Sequence, residues 1–350
     1  ANASEQILGR FDFNSTNEDM KIEKLSLMVN ATSTNTATSS TTGDEVPWIK
    51  LYDGSTLVGG PYYPDGSGAS SSVVMIDGLS WTIPKDTTKT LTVKGYVNDV
   101  SAGADTGANV FVHVLDTGFK AVGSSASDTS IAIASGNRKV VYKAKPKFVA
   151  VTQPNSGNGS LSAGTPIKVL RFRVQSVGNK IAWRQVQFQV AMTAATMSAA
   201  STANVAIRKV STGASLTLAT VYSGSGTASG TTATLTGGNT GYVGAELSTH
   251  EQIASGSYED YDLELTFADL STTNDAAQAV VKLYRQESVP VGATWYIGVA
   301  GVTTSTDTDT DMNPSFIWSD QSVVGLSATT TADWANSVYV EPSLFTDITN

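Results

Sequence analysis

Hydrophobic and polar residues alternate with a period of two along much of this chain. In Ile7–Phe13 and Ile22–Val29, most apolar side chains stand two positions apart with polar ones between them. Such alternation is typical of a β-strand that buries one face. The strands predicted in the first part of the chain are Ile7–Phe13, Ile22–Val29, Ile49–Tyr52, Val73–Ile76, Thr90–Val97, Val110–Leu115 and Val140–Tyr142.

The second part of the chain has the same character. Helical periodicity is nearly absent, and the alanine-rich stretch Ala191–Ala203 fits a loop or short turn as well as a helix. Short strands separated by Gly/Ser/Asp turns predict an all-β fold of two tandem Ig-like antiparallel β-sandwich domains. The strands predicted here are Phe148–Val151, Lys168–Val174, Ala182–Val190, Val205–Val210, Thr217–Tyr222, Ala233–Leu235, Tyr261–Phe267 and Trp295–Val299.

An internal repeat supports the division into two domains. Four segments of the first part recur in the second part in the same order, although each match is weak by itself. The repeat predicts one β-sandwich over residues 1–145 and another over 146–341. The matched pairs are Ile7–Phe13 with Val169–Val174, Lys21–Val29 with Ile181–Val190, Ile49–Gly59 with Val205–Leu216, and Ile83–Val93 with Ile253–Leu265.

The two copies are offset by one strand. Pro146 aligns with Pro342, so that Phe148 aligns with Leu344. The second copy therefore has an opening strand that the first lacks, and the tail 342–350 is a surplus strand. Because an open sheet edge recruits further strands, the tail is predicted to complete the first domain of another subunit, and repetition gives an open fibre. The predicted assembly residues are Leu344, Phe345, Thr346 and Ile348 of the tail, with Ile7 and Phe11 in the acceptor.

Composition and charge narrow the possible partners. The chain has 350 residues, no cysteine, a net charge of −9 and an isoelectric point near 4.7. This acidity disfavours nucleic acid, and no window approaches eighteen consecutive apolar residues, so no membrane span is predicted. The abrupt start at Ala1 fits a secretory protein whose signal peptide has been removed. We therefore expect an extracellular or cell-surface protein whose partners are copies of itself.

Few residues are candidates for catalysis or metal binding. His113, in a predicted strand, and His250, in a predicted polar turn, lack the spacing of a zinc site or triad. Three alternating carboxylates resemble half of a calcium site, but they lack the glycine and terminal glutamate of an EF-hand loop, so an ordinary solvated loop is the favoured interpretation and no metal site is predicted. No enzyme activity and no cofactor are predicted. The calcium candidates are Asp307, Asp309 and Asp311.

Surface residues suggest two further sites. Glu259, Asp260, Asp262 and Glu264 could supply a carboxylate pair, but alternation places Asp262 and Glu264 together on a solvent-facing strand side. An aromatic platform for sugars could be drawn from Trp48, Tyr52, Tyr62 and Tyr63, although such residues more often pack in cores. Possible glycosylation sites are the sequons at Asn2, Asn14, Asn30 and Asn158.

Three groups of motifs resemble those of a known group of proteins. They are Leu51–Gly59, then Leu79–Lys85 with Leu91–Lys94, and Ser315–Asp320 with Ala332–Trp334. They are similar to motifs of tandem β-sandwich surface proteins of uncultured bacteria with small genomes. The resemblance implies an exported, surface-associated and non-enzymatic role. The second domain departs from the pattern because it lacks the Leu-Ser-Trp-Thr-Ile-Pro element, so its loops are expected to be specialised.

The sequence is compatible with three functions. The first is a structural subunit of an extracellular filament, pilus or surface layer that polymerises by strand complementation. The second is a cell-surface adhesin or carbohydrate-binding module. The third is a segment of a longer multidomain surface protein, in which the tail enters a third domain and no polymer is needed.

Overall fold

The computed structural model describes residues 4–33, 42–64, 70–106, 108–154, 161–225, 234–238, 240–270, 277–283, 316–322, 334–335 and 348–349. Antiparallel strands dominate them, with one helical turn, α1 (Thr42–Glu45), and one 3-10 turn (Val100–Ala102). The predicted all-β fold is confirmed. Residue contacts divide the chain into two units, Ala1–Lys143 and Ala144–Asn350. The assignment of these units as separate domains stays a prediction.

The first unit consists of two antiparallel sheets. One sheet has the order β1-β6-β3-β4 and the other has the order β10-β7-β2-β5, with β8 and β9 also pairing with β7. The strands are β1 (Ser4–Ser15), β2 (Met20–Ser33), β3 (Trp48–Asp53), β4 (Thr56–Tyr62), β5 (Ser71–Ile83), β6 (Thr87–Val97), β7 (Ala108–Val122), β8 (Ser127–Asp128), β9 (Ala134–Ser135) and β10 (Lys139–Val140).

Both sheets of the first unit bury side chains in one core. Phe13 of β1 meets Trp81 of β5 edge to face, with ring centroids 5.4 Å apart, and stacks on Phe119 of β7. Leu27 and Leu91, from opposite sheets, have no exposed surface. This face-to-face packing of two sheets with alternating inward side chains is a β-sandwich.

The second unit has two larger sheets and a small third one. Their orders are β11-β12-β19-β15, β16-β18-β13-β21-β24 with β22 and β23 attached, and β17-β14-β20. The strands are β11 (Ala144–Val149), β12 (Pro166–Gly178), β13 (Ile181–Thr193), β14 (Ala195–Met197), β15 (Val205–Lys209), β16 (Leu218–Ser225), β17 (Leu235–Thr236), β18 (Thr240–Ile253), β19 (Tyr258–Thr266), β20 (Asp269–Leu270), β21 (Gln278–Leu283), β22 (Phe316–Ser319), β23 (Trp334–Ala335) and β24 (Ile348–Thr349).

Aromatic side chains hold the core of the second unit together. Trp183 of β13 packs edge to face on Tyr261 of β19, and Phe172 of β12 contacts Phe188 of β13. Each of these pairs joins the two larger sheets. No helix that the structure describes is long and apolar enough to cross a membrane.

Equivalent strands of the two units pair in the same order. The order β1-β6-β3 in the first unit corresponds to β12-β19-β15 in the second, and β5-β2-β7 corresponds to β18-β13-β21. The match extends to single residues. The register shift at Ile7/Gly9 of β1 recurs at Lys168/Leu170 of β12. At a constant offset, Ser15 and Ser176 are both buried and donate to carbonyls three residues on, those of Glu18 and Asn179.

The sequence pattern missed some of the strands, and β18 is the longest of them. It pairs with β13 on one side and β16 on the other, and His250, predicted to lie in a polar turn, is inside it. Most of β18 between Gly241 and Leu247 is buried, so period-two alternation is weak there. The predicted strand Trp295–Val299 lies outside the described residues.

Candidate functional site

Strand β1 is an edge strand of its sheet. Among the described residues it pairs only with β6, and no other strand lies along its outer side. In the second unit the equivalent edge, that of β12, is covered by β11, with Phe148 opposite Val174. The structure therefore has a strand at this edge in one unit and none described there in the other.

The second unit also identifies the backbone groups that face the edge. Beyond the end of β11, the side-chain amide of Gln153 accepts from the N–H of Arg171 at 2.8 Å and donates to its carbonyl at 2.9 Å. The N–H and C=O of Arg171 thus point away from β19. Because backbone direction alternates along a strand, those of Arg173 and Gln175 point the same way, toward β11.

By the constant offset between β1 and β12, three residues of β1 have the same orientation. Arg10, Asp12 and Asn14 correspond to Arg171, Arg173 and Gln175. Their backbone N–H and C=O groups face away from β6. A strand that entered along β1 would find these donors and acceptors in place.

A groove of about 370 Å³ lies beside this edge. One wall is β1 from Arg10 to Asn14, and the opposite wall is the segment 128–135 that follows β7. The floor is mainly apolar and belongs to the core of the first unit. Its side chains include Phe11, Phe13, Ile22, Val114, Phe119 and Ala121.

One end of the groove is closed by Gly136. Its N–H donates to the carbonyl of Val112 at 2.7 Å, and a Cβ at this position would collide with the carbonyl oxygen of Leu8. The chain therefore crosses the outer side of β1 at Leu8 and Gly9. Glycine is required here because of this close approach of two backbones.

In the second unit an aromatic side chain occupies the corresponding space. Phe148 of β11 is 1% exposed and meets the ring of Phe316 edge to face at 4.8 Å. Trp183 of β13 is equivalent to Ile22 of β2, and their partners are Trp318 and Ala121, so these two partners are equivalent as well. Two residues before them are Phe316 and Phe119, and Phe316 therefore corresponds to Phe119 in the floor of the groove. A side chain equivalent to Phe148 would thus lie against Phe119.

The turn after β7 is held by the carboxylate of Glu18, which lies in the turn between β1 and β2. Glu18 accepts hydrogen bonds from the N–H groups and hydroxyls of Ser124 and Ser125 at 2.6–3.0 Å. The hydroxyl of Ser124 contributes most, and these bonds lower the pKa of Glu18 to about 2. This turn leads into the segment that forms the outer wall of the groove.

The low pKa of Glu18 predicts a change in acid. Because the folded-state pKa lies below the ordinary value of 4.5, the contribution to stability is present above pH 4.5 and lost as pH falls through about 2. We expect carbon NMR titration of the Glu18 carboxyl to give a midpoint near 2, and Ser124→Ala to raise it. Ser130→Ala, a serine that does not bind Glu18, is the control. An unchanged midpoint in Ser124→Ala would contradict this assignment.

The predicted assembly residues are only partly described. Phe11 lines the groove, whereas Ile7 is 36% exposed and lies before the closed end. Of the tail, the backbone of Ile348–Thr349 pairs with Leu283 and Lys282 of the same chain. The role of these residues in assembly stays a prediction, and Leu344, Phe345 and Thr346 lie outside the described residues.

The candidate carboxylates of β19 form ion pairs with basic side chains of the neighbouring strands. Arg171 binds Asp262 through two hydrogen bonds of 2.6 and 2.9 Å, and Arg208 binds Glu264 at 2.7 Å. The expectation that Asp262 and Glu264 face solvent is wrong, since the two residues are 1% and 8% exposed. Burial raises the pKa of Asp262, but hydrogen bonds from Arg171 and Lys168 outweigh it and bring the pKa below its ordinary value.

Three other side chains of the candidate sites, Trp48, His113 and His250, have local partners. The ring of Trp48 stacks on Tyr96, and Lys50 lies over it at 4.3 Å. His113 contacts the hydroxyl of Ser135 at 2.6 Å and His250 the amide of Gln252 at 3.1 Å. The aromatic platform for sugars stays a prediction.

Two of the four sequons lie in described strands. Asn14 is exposed, with its amide donating to Thr87 and Thr88, whereas Asn30 is 8% exposed. Only Asn14 of this pair presents its side chain to solvent. Asn2 and Asn158 lie outside the described residues, so glycosylation stays a prediction at all four.

The calcium candidates Asp307, Asp309 and Asp311 lie outside the described residues. Within the described part, no group of three or more histidine, cysteine or acidic side chains is arranged to hold a metal ion. Comparison with known proteins finds no matching family model and no similar curated sequence.

Proposed function

We propose that this protein is a structural subunit of an extracellular filament, pilus or surface layer. Its subunits join head to tail when the tail 342–350 of one copy leaves β21 of its own chain, with which Ile348–Thr349 pair, and enters the groove of the next copy. The observation that carries the proposal is the difference between two equivalent edges. β12 is covered by β11, whereas no described strand covers the outer side of β1.

The sequence of the tail supports this pairing. β11 turns Ala144, Pro146 and Phe148 into the core of the second unit and its alternate residues outward. The aligned tail residues Val340, Pro342 and Leu344 are apolar as well. In this arrangement the segment that follows each unit completes the unit after it, within the chain for β11 and between subunits for the tail.

The contact is heterologous, because a groove meets a tail and not a second groove. Repetition of such a contact gives an open polymer. The buried floor residues Phe11 and Phe13 supply an apolar surface for an entering strand. Because the chain has no cysteine, the joint would hold without disulfides, mainly through backbone pairing and apolar burial.

Removal of residues 341–350 tests the proposal. We expect the truncated chain to stay folded and monomeric under conditions in which the full chain forms fibres visible by negative-stain microscopy. Leu344→Asp, which places a charge toward the apolar floor, should also abolish fibres. Ser343→Asp, whose side chain would face outward, is the matched control.

The result can also separate the alternatives. Fibres from the truncated chain would contradict strand donation by the tail. A full chain that remains monomeric at all concentrations, with saturable glycan binding, would favour an adhesin. A monomer whose tail pairs only with a further domain of a longer chain would favour a segment of a multidomain surface protein.

A further inference from the structure

We infer that the tail of a second copy enters the groove antiparallel to β1 in one register, with Leu344 opposite Phe13. This inference rests on the proposed function and adds the alignment of individual residues. It follows from two correspondences, between β1 and β12 and between the tail and β11. The first is a property of the fold and the second a property of the sequence.

The register of β11 on β12 supplies the template. Pro146 lies opposite Ser176, Phe148 opposite Val174 and Val149 opposite Arg173, and the strands run antiparallel. Ser176, Val174 and Arg173 correspond to Ser15, Phe13 and Asp12 of β1 at the constant offset. The template therefore fixes which residue of β1 each position of an entering strand faces.

The tail can then be placed residue by residue. With Pro342 in the place of Pro146, Leu344 takes the place of Phe148 and faces Phe13. Phe345 then lies opposite Asp12, and Thr346 opposite Phe11. A shift by one residue would turn Leu344 outward and Phe345 inward, so the alternatives differ in every side chain.

The charges of the two strands also favour this register. In this register Asp347 lies directly opposite Arg10, whose side chain is exposed. Directly opposed unlike charges stabilise an antiparallel pair, and like charges destabilise it. Ile348 would reach Gly9, where Gly136 closes the groove, so pairing ends there.

Disulfide cross-linking tests the register in the intact chain, which has no cysteine of its own. We expect fibres of the double variant Asp12→Cys, Phe345→Cys to give a ladder of covalent oligomers on oxidation, seen in non-reducing gels. Directly opposed residues of a hydrogen-bonded pair have Cα atoms about 5.5 Å apart, within the range of a disulfide. In the control Asp12→Cys, Glu341→Cys, the two positions are about 13 Å apart along the strand and no ladder should form.

Exchanging the charges of Arg10 and Asp347 is a second, independent test of the register. Arg10→Glu and Asp347→Lys should each raise the critical concentration for assembly by about fivefold, and the two together should restore it. If the cysteine variants do not assemble, this charge exchange alone tests the register.

The two proposals fail in different ways. Fibres that give a ladder only with the Glu341→Cys control, or that show no rescue by the double charge exchange, would overturn the register and leave the filament role intact. A full unmodified chain that forms no fibres would overturn both.

Discussion

Phe148→Ala is expected to destabilise the second unit by about 3–5 kcal/mol, the usual cost of deleting a buried phenylalanine side chain. Phe148 is 1% exposed, packs on Phe316 and lies in a strand whose other inward side chains, Ala144 and Pro146, are smaller. It therefore provides most of the apolar burial that holds β11 on β12. The loss should be accompanied by release of β11 from the edge.

Native-state hydrogen exchange can measure this effect locally. Amides of β12 that face β11, such as that of Arg173, should lose protection, whereas those of β1 and β6 should not. Tyr63→Ala removes an aromatic side chain that is 68% exposed and is the control, with an expected change within about 0.5 kcal/mol. A cost below about 1 kcal/mol for Phe148→Ala would mean that β11 does not depend on this side chain.

A rise in pH from 4.5 to 8 is expected to lower the stability of the first unit by about 3 kcal/mol, because of Glu45. This residue ends α1 and is fully buried, and burial raises its pKa from 4.5 to about 7. The N–H of Asp105 donates to Oε1, while Oε2 has no hydrogen-bond partner among the described residues. The nearby carboxylates of Asp105 and Asp44 raise the pKa further.

The sign of this effect follows from the raised folded-state pKa. The folded unit holds the proton more tightly than the unfolded chain, so the stabilisation is fully present below pH 4.5 and is lost as pH rises through about 7. Unfolding in urea, followed at several pH values by exchange of the β3 and β6 amides, should show this slope. Glu45→Gln should remove it and Asp44→Asn should retain most of it. A slope that persists in Glu45→Gln would assign the effect to another group.

The strands with one buried face could be predicted from the sequence. In β1 and β2 the alternation that ends in Phe13 and begins at Ile22 matches the structure, as does the order of the repeated segments. β18 could not be predicted in this way, because it is buried on both faces and uses small residues. At Gly244, for example, a Cβ would come within 3.2 Å of the ring of Tyr222.

The difference between the edges of β1 and β12 could be predicted from the sequence, but the groove could not. Its floor includes Phe119, which is far along the chain from Phe13 and reaches it only through the pairing of β7 with β2. The part played by Gln153 was equally hidden, since a side-chain amide that satisfies the backbone of Arg171 has no periodicity to reveal it. Such contacts depend on tertiary geometry and not on local pattern.

The crossing of Gly136 over Leu8 has a consequence for the spacing of a filament. A strand that slides along an open edge can stop at any of several positions, each about 3.3 Å from the next. A blocked edge gives every incoming strand the same depth of insertion. Successive subunits joined in the proposed way would then be separated by one constant axial distance. That regularity would depend on Gly136, because only glycine allows the chain to cross so close to Leu8.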